Sequence, residues 1–109
     1  MVEAVERRVY FRDIKPYYLP ESLAALRGPR SGWVHLPRDV RWVPGDGWID
    51  LDREGGRGLA YRSVITEGLP AQQVEVLNAT ALKMIWPDLV LPDRVRAMWQ
   101  EKFPELASD

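Results

Sequence analysis

The sequence predicts an α+β fold, a small three-stranded antiparallel meander flanked by a short N-terminal helix and three to four C-terminal helices. Three observations lead there. The middle of the chain holds three short runs rich in β-branched and aromatic residues, Trp33-Val34-His35-Leu36, Val40-Arg41-Trp42-Val43 and Trp48-Ile49-Asp50-Leu51. Three of the four Leu-Pro pairs, Leu19-Pro20, Leu69-Pro70 and Leu91-Pro92, precede residues of good helical character. Between Trp86 and Trp99, two prolines and two tryptophans bracket an amphipathic helical stretch with no reactive side chain.

In chain order, residues 1–8 are expected to be a flexible N-terminus, 9–106 a single globular domain and 107–109 a tail. A proline in the first helical turn loses no hydrogen bond and holds the preceding leucine extended, so each Leu-Pro pair reads as the start of a helix. Glu21 and Asp93 lie just inside two of these starts, where the positive end of the helix dipole favours an acid. After Pro20, Leu23 and Leu26 share a face, and Gly28-Pro29 ends a short first helix.

The strand runs follow, separated by Pro37-Arg38-Asp39 and by Pro44-Gly45-Asp46-Gly47. Three short strands need one face covered, and the flanking helices supply the cover. Leu59 to Glu67 places Tyr61, Val64 and Ile65 on one side of a helix ending near Gly68. Residues 70–86 allow one helix or two. Asn78 and Thr80, which suit caps better than helix interiors, point to a break near Asn78, with Leu82 and Ile85 on the second piece. In the last helix Leu91, Val95, Met98, Trp99 and Phe103 fall at helical spacing, and Pro104 stops it near Lys102 or Phe103.

Composition narrows the function classes. The chain has 109 residues, 46% hydrophobic and 28% charged, with no cysteine. That excludes a disulfide framework and a thiolate metal site. The first ten residues carry acids and no apolar run, so they do not read as a secretory signal, and no stretch is long and apolar enough to span a bilayer. The net charge of −1 is the wrong balance for a domain that wraps nucleic acid non-specifically. The two halves differ, however: residues 1–44 hold eight basic and five acidic side chains, and residues 45–109 hold seven and eleven. Arg7, Arg8, Arg12, Arg27, Arg30, Arg38 and Arg41 either form a basic face or stand as scattered solvated charges, the more ordinary arrangement.

Several motifs approach a known chemistry and stop short of it. Asp50-Leu51-Asp52-Arg53-Glu54-Gly55 opens like a calcium loop, but Tyr61 stands where the closing bidentate carboxylate belongs. A solvated loop leading into a helix, with Asp52 as a cap, accounts for it better. Gly55-Gly56-Arg57-Gly58 has the Gly-x-x-Gly form that lets backbone approach nucleic acid between two helices; here it follows a strand, so it reads as a connector. His35 is the single histidine, without a second metal ligand at His-x-x-x-His spacing, and is expected to be structural. Ser22, Ser31, Ser63 and Ser108 lie outside any nucleophile-elbow context.

Five tryptophans in so short a chain either fill the core, with only two phenylalanines to share that task, or build a binding surface, where Trp and Arg dominate. Trp33, Trp42 and Trp48, with Arg38 and Arg41, are the candidate partner-binding residues.

Gly28-Pro29 with Gly32, Leu36-Pro37, Trp42, Leu77-Asn78, Trp86-Pro87-Asp88-Leu89, Leu91-Pro92, Val95-Arg96, Trp99 and Phe103-Pro104-Glu105-Leu106 resemble a family of short uncharacterised actinobacterial proteins. The resemblance runs from about Tyr17 to Leu106. It implies a bacterial cytosolic origin and carries over no functional residue; members bear loose labels such as transcriptional regulator. The sequence therefore leads to a non-catalytic, cytoplasmic interaction module that binds a protein partner or a second copy of itself through an aromatic patch, with no cofactor, metal or membrane. The alternative is a DNA-binding regulator, with a helix in the groove and N-terminal arginines on phosphates.

Overall fold

The computed structural model describes residues 16–40 and 46–107. Its elements are strands β1 (Trp33–His35) and β2 (Trp48–Asp50), then helices α1 (Gly56–Glu67), α2 (Pro70–Val76), α3 (Ala79–Ile85) and α4 (Asp93–Lys102). Single 3-10 turns stand at Leu23–Ala25, Trp86–Asp88 and Pro104–Leu106. The class is α+β. Two expectations are corrected in detail.

Among the described residues the sheet has two strands, not three. β1 pairs directly with β2, antiparallel, with Trp33 opposite Asp50, Val34 opposite Ile49 and His35 opposite Trp48. Pro37 has no N–H to continue a ladder, and Val40 N–H donates to the Pro37 carbonyl at 3.0 Å, which turns the chain away. The rest of the expected middle strand, from Arg41 to Val43, lies outside the described residues, as do residues 1–8.

The expected first helix is a single 3-10 turn. Ser22 caps it, its hydroxyl accepting from Ala25 N–H at 3.2 Å, and Leu26 is already extended. The extended backbone lets Arg27 N–H donate to the Val74 carbonyl at 2.9 Å and Gly28 N–H to Leu77 at 2.8 Å. Tertiary hydrogen bonds replace the second helical turn.

Helix α1 is the centre of the molecule. Ala60, Tyr61, Ser63, Val64 and Ile65 are all buried, so more than one face of the helix is covered. It begins at Gly56, three residues before the expected Leu59, and ends where Gly68 turns extended. Pro70 then opens α2 while the Gln72 side chain accepts from Leu69 N–H at 2.7 Å, satisfying a donor left free at the helix end. The break near Asn78 is present. Leu77 is extended, and Asn78 caps α3 by accepting from Ala81 N–H at 3.0 Å. In and before α4, Leu91, Val95, Trp99 and Phe103 are buried as their spacing predicts, and the helix stops at Lys102 ahead of Pro104.

One buried cluster unites Val34 and Ile49 of the sheet with α1, α3 and α4. Trp86 and Trp99 lie in it with ring centroids 6.2 Å apart, and Phe103 is 5.6 Å from Trp99. The Arg96 guanidinium covers Trp86 at 4.9 Å and donates to the Trp86 and Leu89 carbonyls, clamping the turn between α3 and α4. Gln73 is fully buried; its amide nitrogen donates to the Tyr18 carbonyl at 2.8 Å and is 3.4 Å from the Val64 and Gly68 carbonyls.

Tyr61 joins α1 to the α2–α3 junction, its hydroxyl accepting from Asn78 N–H at 3.1 Å. Burial raises its pKa above the ordinary 10.0, against weaker lowering by the Asn78 hydrogen bond and by Arg57. Because the unfolded chain then loses this proton first, Tyr61 contributes its full stability below pH 10.0 and loses it as pH climbs through the raised folded value. Denaturant midpoints measured from about pH 8 to about pH 11 are expected to fall at the alkaline end, and to fall less in Tyr61→Phe. That variant also starts lower, by about 1–3 kcal/mol, because Asn78 N–H is left without its acceptor. Equal alkaline slopes in the two proteins would remove Tyr61 as the cause.

Candidate functional site

Side chains alternate across a strand, so burying Val34 and Ile49 forces Trp33, His35, Trp48 and Asp50 onto the opposite, outer face. Trp33 is 60% exposed and Trp48 51%. His35 and Trp48, directly opposite one another, have ring centroids 5.3 Å apart with planes inclined by 59°. Trp33 sits diagonally across the pair from Trp48, within reach of a second large side chain.

The indoles border a groove of about 660 Å³. Ile49 and Leu59 line it with them, and Asp50, Arg53 and Glu54 supply its charged groups. Local backbone geometry keeps it open. Gly55 is left-handed at φ +81°, and a Cβ on it would meet nothing within 4 Å. Gly56 begins α1 so close to β2 that a Cβ there would lie 2.0 Å from the Asp50 carbonyl oxygen. Helix and strand therefore meet at a bare backbone junction, and the hollow above it is walled by rings.

The carboxylates nearby serve the loop. Asp50 accepts from Asp52 N–H at 2.9 Å, and Asp52 accepts from Gly32 N–H at 3.0 Å, tying the root of β1 to the segment before α1. Asp52 thus braces the hairpin and does not cap the helix. Among the described residues no three His, Cys, Asp or Glu side chains converge as metal ligands. The Gly55-Gly56-Arg57-Gly58 stretch is a helix start, not a free connector, and Arg57 reaches back to donate to the Arg30 carbonyl. The arrangement suits the capture of an apolar or aromatic side chain: two large rings, the aliphatic Leu59, and an N–H donor on each indole.

Of the five candidate residues, the structure brings Trp33 and Trp48 together. Arg38 is exposed in the turn after β1 and does not line the groove; Trp42 and Arg41 lie outside the described residues. Of the seven arginines considered for a basic face, Arg7, Arg8, Arg12 and Arg41 also lie outside them. Arg27 is paired with Glu75, while Arg30 and Arg38 are exposed. Sequence reasoning missed Leu59, Arg53, Glu54 and the two glycines as groove residues. Their one signal was the abrupt passage from a strand run to Gly55-Gly56.

Among the described residues no helix is long and apolar enough to cross a membrane. No protein-family model matches the chain, and no curated protein or solved structure is significantly similar to it.

Proposed function

We propose that the chain is a small non-catalytic interaction module whose partner is a protein, bound through the groove that Trp33 and Trp48 border. The single observation carrying this reading is the exposure of two indoles on one face of a two-stranded ribbon, beside a hollow of about 660 Å³. Exposed tryptophan is costly to leave in water, and large rings at the centre of an interface supply most of its binding energy. The polar groups around the groove favour holding over reacting: Asp50 and Asp52 are engaged with backbone N–H groups, and His35 packs against Trp48. A bacterial cytosolic setting, which the actinobacterial resemblance implies, belongs to the same proposal.

Trp33→Ala and Trp48→Ala test it. Each is expected to weaken binding of the partner captured from the native host by about 30-fold, the equivalent of about 2 kcal/mol, the threshold of an interface hot spot. Neither is expected to move the denaturation midpoint beyond the about 0.5 kcal/mol typical of surface substitutions. Undiminished capture by both variants would defeat the proposal.

A further inference from the structure

The edge of β1 away from β2, unpaired among the described residues, carries a second recognition feature, separate from the indole groove. In an antiparallel pair, alternate residues turn their N–H and C=O groups toward the partner strand. Gly32 accepts from Leu51 N–H at 2.7 Å and Leu36 N–H donates to Gly47 at 2.9 Å, which fixes the alternation. Gly32, Val34 and Leu36 therefore face β2. Trp33 and His35 direct both their N–H and their C=O groups away from it, and among the described residues no hydrogen bond satisfies them.

Beside this end of β1 lies an apolar cavity of about 290 Å³, and no residue of β2 reaches it. His35, Leu36 and Pro37 form one wall, Ala71 and Val76 of α2 the other, and Val64 of α1 contributes from below. The one ionised side chain in the wall, Glu75, is paired with Arg27. Gln72 uses its side-chain oxygen on Leu69 N–H. A neutral, apolar group fits such a space best.

We infer that β1 accepts an extended peptide as a third strand, laid between β1 and α2, with one apolar side chain in the cavity. The two features agree in register. An incoming residue paired with Trp33 or His35 shares their outward-facing side, whereas the residue between them points inward, toward the space lined by Leu36, Val64 and Val76. Main-chain bonds to Trp33 and His35 hold the peptide, and the cavity selects for a bulky apolar residue at one position. The ligand is thus a segment of β-forming residues around a single apolar anchor, without a charge at the anchor. Partner binding by the outer indoles does not depend on it.

A randomised heptapeptide library displayed on phage, selected on the full chain, provides the test. Two variants then challenge the selected pool. His35→Pro removes one outward N–H while leaving the bonds to β2 intact, a place where an edge strand tolerates proline. Ala71→Trp fills the cavity from an exposed position on α2. The expected result is enrichment of sequences with one apolar position flanked by β-branched residues, and at least tenfold weaker binding to each variant, with both variants retaining the parent's circular dichroism spectrum. Absence of enrichment over a blank surface, or binding to either variant that is undiminished from the parent, overturns the inference. Peptides insensitive to both variants but lost with Trp33→Ala and Trp48→Ala would also overturn it while leaving the indole groove standing as the binding site.

Discussion

Trp99→Ala is expected to lower the urea midpoint further than any other single substitution considered for this chain, by removing about 3–5 kcal/mol of stability. The side chain is fully buried and lies between Trp86 and Phe103. Removing such a ring costs about 3–5 kcal/mol, transfer and cavity combined. Total stability for a domain of this size is about 5–15 kcal/mol, so the variant consumes from about a fifth to all of it. The urea midpoint and the near-ultraviolet circular dichroism report the loss. Trp99→Phe discriminates between bulk and polarity. The indole Nε1 of Trp99, like that of Trp86, is buried without a hydrogen-bond partner among the described residues, so phenylalanine removes an unsatisfied donor as well as volume. Its cost is expected to be well under half that of alanine. A cost above half that of alanine would mean that the N–H is satisfied in solution.

Gly28→Ala is expected to destabilise by about 3 kcal/mol, at the upper end of what overpacking costs. Gly28 is buried against the α2–α3 junction, donating to Leu77 and accepting from the Asn78 side chain at 3.3 Å. An added Cβ would lie 2.2 Å from the Val76 carbonyl oxygen, 2.3 Å from its carbon and 2.7 Å from Leu77 N. All three are backbone atoms, so no rotamer change relieves the overlap. The clip between the N-terminal arm and the helices must open instead. Gly58→Ala is the matched control: inside α1, with nothing within 4 Å of the new methyl, it is expected to stabilise by about 0.4–1 kcal/mol. Thermal midpoints moving in opposite directions in the two variants would support both assignments; a tolerated Gly28→Ala would show that the clip yields.

The helices were legible because their ends are written in residues with local consequences. Pro70 opens α2, Asn78 caps α3, Gly68 closes α1 and Pro104 halts α4, each by an effect confined to one turn of chain. Where remote partners decide, the sequence misled. Leu23 and Leu26 have helical spacing, yet Leu26 is extended because Arg27 and Gly28 bond to residues almost fifty positions away. Three glycines in four residues look like a connector, yet Gly56 starts a helix because only a residue without Cβ fits against Asp50. The first and third strand runs fall on β1 and β2, but these pair with each other, and Val40 of the expected middle run lies in the turn that follows Pro37.

The site was legible in its rings and illegible in its walls. Strand alternation around Val34 and Ile49 sends Trp33 and Trp48 outward, and both had been singled out from the sequence. Leu59 joins them from a helix twenty-six positions beyond Trp33, and no periodicity connects the two. Arg38, two positions past Leu36, was grouped with the tryptophans by proximity in sequence; the turn after Pro37 carries it elsewhere.

The four described tryptophans divide evenly between interior and surface, Trp86 and Trp99 sealed, Trp33 and Trp48 open to solvent. Nature has thereby fitted the molecule with two sets of intrinsic fluorophores. The sealed pair is expected to emit toward the blue and to shift when the chain melts. The open pair is expected to emit toward the red, within reach of an aqueous quencher, and to respond to a molecule covering it while the fold stays whole.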